Sequence, residues 1–398
     1  MGSQKRNREL YLDSEALGTL RMCKEGILSP VDKLMNSIVA KEVDKTSLYK
    51  GQHFPFSFIL APSGKRNEEV LKSAQKNDIL EIIVNDEKCG ELIVEESFKI
   101  DRLKRVEKIF ATTDSAIKGV ADTLKRLGNY AISGEVKINS DEVKLHKKEI
   151  QDQKKLLGAK NITAIMISAK PFHRAHERMI RIALEKSDLL VLFLLKPYKQ
   201  DLFTYELRYK TLKYFIDNFL PKNRVMIVPF ENTYLFAGLD SIVLDSIAAK
   251  NYGCDTIAIG QNHEGIGMYY DSSGTKSIGD YFKALDIGID MDIVNEFVYC
   301  NECKTLVSTR SCPHGRHHHI SYNTELIHEL FKVGVLPPAV LVRKEISAIV
   351  LSQLFPNRFE GLCGKFSNFF PGTGLIEEMN EEQFYMQLMN LHQTVSLT

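Results

Sequence analysis

A chain of 398 residues is too long for one ordinary hydrophobic core, so two or three domains are expected. With 44% hydrophobic and 26% charged residues the composition is that of a soluble globular protein. The 52 Lys and Arg against 51 Asp and Glu, a net charge of +1, exclude a bulk field that would recruit nucleic acid or an acidic partner.

No run approaches the roughly 18 apolar residues of a membrane span, and MGSQKRNREL lacks the apolar centre of a signal peptide. The cytoplasm is therefore the expected address, with no membrane or nucleic-acid partner. Leu10 to Val39 reads as mostly helical, broken around Gly26 and Pro30. From His53 to Ile100 short apolar runs, FPFSFIL, DILEIIVND and GELIVEESFKI, alternate with charged or glycine-bearing turns and predict a small β barrel or meander. Ile109 to Val136 reads as a turn, a helix and a glycine-marked strand, and the charged stretch Ser140 to Lys160 as an exposed helix closing an N-terminal domain.

Asn161 to Glu185, NITAIMISAKPFHRAHERMIRIALE, is the centre of the chain's organisation. Ile162 to Ile167 reads as a buried parallel strand, and Met179, Ile180, Ala183 and Leu184 have the three-to-four spacing of a helix packed on a sheet. Pro171 suits the helix entry, which puts His173 and His176 together on an exposed first turn. Free backbone N–H groups and the positive dipole end make such a turn an anion site. Beyond Glu185 strand and helix alternate as far as TIAIG, predicting a parallel sheet covered on both faces, with ligands bound at the carboxyl ends of its strands. The next such loop, Gly260 to Gly267, reads GQNHEGIG. Its glycines would let backbone approach a ligand, and His263 adds a polar group there.

Seven cysteines with no secretion signal argue against a disulfide framework. Cys300, Cys303 and Cys312, followed by His314 and His317, offer three thiolates and an imidazole to a tetrahedral, structural zinc. Either histidine serves as the fourth ligand; His314 is the first choice, while the cramped Cys-x-His spacing speaks for His317.

Four segments in order resemble the ATP sulfurylase (sulfate adenylyltransferase) family: GILSPVDKLM, IFATTDSAIKGV, KPFHRAHE and KNYGCDTIAIGQNHEGIG. YCNECKTLVSTRSCPHG is similar to the cysteine-bearing segment of many bacterial members, and GVLPPAVLVRKEISAIVL to the family's closing motif. The resemblance implies an α/β chain. A PUA-like β-rich domain over 1–158 would precede a Rossmann-like adenylyltransferase domain over 159–330, including a zinc knuckle at 300–317. A small C-terminal helical part with an extra tail would occupy 331–398.

By the same resemblance the substrate is ATP with Mg²⁺. His173 and His176 would hold the phosphates and the reacting phosphorus, with Lys170, Gly260, Gln261, His263 and Gly265 at the nucleotide. The acceptor pocket departs from the family: Ile167, Ala169 and Gln261 stand where members grip sulfate with a glutamine and arginines, Glu264 adds a carboxylate beside the acceptor that would repel sulfate, and His328 replaces another arginine. Three readings follow: adenylyl transfer to sulfate, transfer to a different anion or other acceptor, or a nucleotide-binding relic without catalysis. A homo-oligomer is possible, and the tail from Phe355 to Thr398 reads either as a subunit contact or as surface cover.

Overall fold

The computed structural model describes residues 8–392 apart from 139–140, 197, 199–200, 232, 239, 261–281, 283–284 and 370–378. The chain packs as two compact units, one of residues 1–164 with 229–292 and the other of 165–228 with 293–398.

In the first unit a five-stranded sheet runs in the order β1 (Glu9–Tyr11), β5 (Ile79–Val84), β6 (Glu87–Lys99), β7 (Leu127–Ile138), β4 (Leu60–Pro62). Here β5, β6 and β7 form an antiparallel meander: DILEIIVND and GELIVEESFKI supply β5 and β6 as expected, the glycine-marked strand supplies β7, and FPFSFIL is irregular until Leu60 opens β4. The strand β1 adds in parallel to β5, and a two-residue pair, β2 (Leu48–Tyr49) and β3 (Gln52–His53), lies outside the sheet. The stretch expected to be mostly helical holds only α1 (Ser14–Lys24) and the start of α2 (Ser37–Thr46). The Asp13 carboxylate accepts from the Ala16 amide and fixes the start of α1. Between the helices Ile27, Leu28, Val31 and Leu34 are fully buried as irregular backbone.

Three further helices flank the meander: α3 (Lys65–Ser73), α4 (Arg102–Phe110) and α5 (Lys118–Arg126). No apolar periodicity marks α3, whose KRNEEVLKS sequence is mostly charged; only Asn67, Val70 and Leu71 turn inward. The charged stretch after the meander is α6 (Glu142–Leu157), ended by Gly158 in the left-handed region at φ +61°.

The second sheet has the order β10 (Val225–Phe230), β9 (Leu189–Leu195), β8 (Ile162–Ile167), β11 (Thr256–Gly260), β12 (Asp290–Val294). β11 pairs with β8 in parallel, Thr256 opposite Thr163. Near-continuous burial along β8 and β9 is what a sheet covered on both faces imposes. The strands alternate with α7 (Arg174–Glu185), α8 (Tyr205–Phe219) and α9 (Ser241–Tyr252), the βα rhythm read from the sequence. A three-stranded antiparallel sheet follows, with β13 (Phe297–Cys300) between β14 (Thr305–Ser308) and β15 (His319–Ser321).

Four helices close the chain: α10 (Thr324–Lys332), α11 (Lys344–Leu354), α12 (Arg358–Phe369) and α13 (Glu381–His392). Packing of α13 on α11 fully buries Tyr385 and Met389. The tail is therefore tied into its own unit.

Candidate functional site

At the carboxyl end of β8 the chain leaves the sheet through Ser168, which is exposed, and Ala169, which is fully buried at φ +51°. Lys170 and Pro171 follow, joined by a cis peptide. Pro171 is not the helix entry expected from the sequence: α7 begins at Arg174, and His173 is its N-cap residue. The apolar face of α7 is the predicted one, with Ile180, Ala183 and Leu184 buried.

The two histidines do not stand out in solvent as expected. His173 is only 6% exposed, and its ring stacks on His176 with centroids 3.7 Å apart. Phe172 flanks the pair on the His176 side at 5.8 Å and Tyr322 on the His173 side at 5.4 Å. The His173 amide donates to His176 Nδ1 at 3.2 Å, so one imidazole satisfies a backbone donor that the first helical turn leaves open. Burial, with a smaller push from His176, holds the His173 pKa well below the usual imidazole range. Burial alone brings His176 to about 4. Both rings are thus neutral at pH 7 and offer N–H donors and lone pairs rather than positive charge. His173 Nδ1 is buried and makes no hydrogen bond of normal geometry among the described residues, at the start of the helix that follows β8.

A polar shell fixes this helix start. The Arg174 amide donates to the Leu341 carbonyl at 2.9 Å, its Nε to the Ala339 carbonyl at 3.2 Å, and the Tyr322 hydroxyl to the Val340 carbonyl at 2.7 Å. Glu177, buried on the same turn, accepts from Arg343 Nε at 2.8 Å. On the other side Lys170 Nζ lies 2.6 Å from Asp201 Oδ2. Beneath the loop the guanidinium of Arg208, 1% exposed, ties three carbonyls together: Nε donates to Phe203, and Nη1 to Ser168 and Leu195.

Ile167 ends β8 and is buried, so with Ala169 it places apolar groups in the proposed acceptor region. The His328 ring lies 5.2 Å from that of Phe203. Gly260 closes β11 in the first unit. Gln261, His263, Glu264 and Gly265 lie outside the described residues.

Cys300, Cys303, Cys312 and His314 converge, their ligand atoms all within 4.8 Å of one another. Cys300 ends β13, Cys303 lies in the turn to β14, and the Cys303 amide donates to Cys300 Sγ at 3.4 Å. His314 Nδ1 stands 3.5, 3.3 and 3.7 Å from the sulfurs of Cys300, Cys303 and Cys312, and the last two sulfurs are 3.9 Å apart. A tetrahedral zinc with bonds of about 2.3 Å to sulfur and about 2.0 Å to nitrogen needs edges of about 3.8 and about 3.5 Å. The donor set therefore fits that ion. Of the two candidates for the fourth position the structure brings in His314, whose near nitrogen overcomes the short spacing. His317 instead lies against His318, with ring centroids 4.0 Å apart. His319 Nε2 sits 3.3 Å from Cys312 Sγ on the outside of the cluster.

The ATP-sulfurylase family profile matches residues 141–353, and a PUA-like domain profile matches 1–141. The chain belongs to the ATP-sulfurylase family. It is 28% identical over 349 residues to the sulfate adenylyltransferase of Chloroflexus aurantiacus, covering 86% of this chain and 90% of that one. It is 27% identical over 370 residues to that of a Psychrobacter species, covering 89% and 86%. Among solved structures it is similar to a hexameric APS kinase from Thiobacillus denitrificans, with TM-score 0.62 and 18% identity over 87% of this chain and 63% of that chain. That likeness shows the fold alone. The chain is thus a divergent ATP sulfurylase relative, an α/β nucleotidyltransferase with an N-terminal PUA-like domain. Among its described residues no helix is long and apolar enough to cross a membrane.

No motif in the sequence of this family member marks Asp201, Arg208, Tyr322 or the Glu177–Arg343 pair. A basic residue at a helix position otherwise occupied by apolar groups was the one available signal for Arg208. The partners of the others lie far along the chain and leave no local pattern.

Proposed function

We propose that the protein is an adenylyltransferase of the ATP sulfurylase type, transferring AMP from ATP to an acceptor oxyanion, with sulfate the first candidate. The observation that carries this reading is the neutral His173–His176 stack beyond a parallel strand's carboxyl end, with His173 Nδ1 buried and making no hydrogen bond of normal geometry among the described residues. The acceptor oxygen attacks the α-phosphorus, the bond from that phosphorus to the bridging oxygen breaks, and pyrophosphate leaves with the bond's electron pair. For sulfate the product is adenosine 5'-phosphosulfate. His173 and His176 would hydrogen-bond the phosphate oxygens as charge shifts toward the leaving group, and α7 would present its free amides to the same oxygens. Mg²⁺ carried by ATP would neutralise the departing phosphates.

A second acceptor is favoured by what lies at the loop itself. Ile167 and Ala169 are buried and apolar, and Lys170 is ion-paired, whereas a doubly charged tetrahedral anion wants charge-assisted bonds worth roughly 1.5 to 3 kcal/mol each. Purified protein with Mg-ATP should release pyrophosphate when sulfate is added, more slowly than an ordinary sulfate adenylyltransferase. Release with another oxyanion and none with sulfate would make that oxyanion the acceptor. Calorimetry showing no binding of Mg-ATP would leave only a relic.

The cysteine cluster would hold one structural Zn²⁺ through Cys300, Cys303, Cys312 and His314, closing the turns of the small sheet and taking no part in the transfer. The expected location is the cytoplasm.

A further inference from the structure

The cation on the candidate phosphate loop is already occupied. Lys170 Nζ is 2.6 Å from Asp201 Oδ2, and Asp201 Oδ1 accepts from the Phe203 amide at 3.1 Å, so both carboxylate oxygens are engaged. A phosphate oxygen can take Lys170 only by displacing Asp201, and a partly buried carboxylate stripped of its cation is costly. A second cation stands close in the chain path. Arg208 donates its Nε to the carbonyl of Phe203 at 3.1 Å, the residue whose amide holds Asp201. Its Nη1 is satisfied twice, but Nη2 is buried and donates to nothing among the described residues. An unused guanidinium N–H pair in a site 1% exposed has an energetic reason to persist if a partner arrives in another state.

We infer that Asp201 is a two-position counter-ion: it holds Lys170 while the loop is empty, and passes to Arg208 Nη2 when a phosphate oxygen takes Lys170. The exchange leaves Asp201 with a cation in both states and gives Arg208 Nη2 an acceptor in the bound one. It makes Asp201 a competitor for the phosphate site and Arg208 a positioning residue that lowers the cost of losing the competition. Burial depresses the Arg208 pKa, and the Asp201 carboxylate is the leading charge opposing that, as expected for groups that sense each other across the loop. The inference rests on reading residues 168–173 as the phosphate loop.

Calorimetric titration of Mg-ATP into the full chain tests it. Asp201→Asn should tighten binding about three- to tenfold by freeing Lys170, and Lys170→Ala should weaken it. In the Lys170→Ala background Asp201→Asn should change affinity by less than about twofold, because the two act through one ion pair. Arg208→Lys keeps the charge and loses the planar fork; it should weaken binding about threefold in the wild-type background and have no effect in the Asp201→Asn background. An Asp201→Asn protein that binds no better than wild type, or a gain that survives without Lys170, overturns the inference. So does a loss from Arg208→Lys that persists in the Asp201→Asn background, since Arg208 would then only shape the loop. If circular dichroism shows Arg208→Lys unfolded, the Asp201 and Lys170 variants decide alone. A wild-type chain that takes up no Mg-ATP sinks the phosphate-loop reading and this inference together; wild-type binding with an indifferent Asp201→Asn sinks only the inference.

Discussion

His173 and His176 each combine a packing role with the proposed phosphate role, and a single substitution separates the two poorly. His176 Nδ1 accepts the His173 amide, and the two rings fill a buried stack between Phe172 and Tyr322. Truncating either ring to alanine removes the proposed phosphate partner and also opens a hole or frees a backbone donor, at a cost of about 1 to 3 kcal/mol. Pyrophosphate exchange should be lost and the melting temperature should fall in both alanine variants. His176→Gln, which can still accept from the His173 amide, should recover most of the stability and little of the exchange. Wild-type exchange in either alanine variant would remove the histidines from the chemistry. Ala169 limits a different experiment. Its side chain is fully buried with backbone at φ +51°, so an arginine placed there to resemble other members would need room the loop does not have.

At the scale of elements, the small sheet β13–β14–β15 depends on its turns. Its strands have three or four residues each, too few to be stable alone, and Cys300, Cys303, Cys312 and His314 tie the turns and strand ends into one point. About one zinc per chain should be found on metal analysis. Cys303→Ser should lose it, together with the slow amide exchange of residues 297–308. A metal-free wild type with full protection would mean that the cluster is held by packing alone. His319, paired across the strands with Cys300 and touching Cys312, stands as an outer contact of that cluster. The terminal helix α13 is a second dependent element. Tyr385 and Met389 are fully buried against α11, so Met389→Ala should cost about 2 to 5 kcal/mol, read as a lower denaturant midpoint. An unchanged midpoint would show that α13 contributes nothing to its unit.

For the molecule as a whole, the buried histidines set the pH dependence. His53, His173 and His176 all have folded pKa values below the ordinary value of about 6.5, in each case chiefly through burial. Below that pH the unfolded chain takes up protons that the folded chain refuses. Stability is therefore fully present above pH ~6.5 and falls on acidification toward the His176 value of about 4, by up to about 1.4 kcal/mol per pH unit for each proton withheld. The paired carboxylates Asp32 and Glu95, held low chiefly by their hydrogen bonds to Lys50 and Asn36, add to the loss at the acid end. Urea midpoints should hold level from pH 7.5 to about 6.5 and decline from there to pH 4.5, and the decline should be shallower in a His173→Phe chain. A flat profile would contradict burial of neutral imidazoles.

The sequence by itself determined what is written in local periodicity and spacing. It showed the buried strand Ile162–Ile167, the apolar face of α7, the strand and helix alternation after it, the strands β5 and β6 of the meander and the cysteines of the cluster. Each depends on residues within a few positions of one another, where pleat, helical repeat and ligand spacing act directly. Tertiary structure alone decided whether the site histidines are charged or neutral. The groups that bury and fix them, Tyr322, Leu341 and Arg343 among them, are about 150 residues further on, and desolvation leaves no mark on sequence. Tertiary folding likewise hid the engagement of Lys170 by Asp201, 31 residues on, and the Arg208 donor left unused among the described residues. It also hid the docking of the tail on α11, because a helix shows which face is apolar but not what that face will meet.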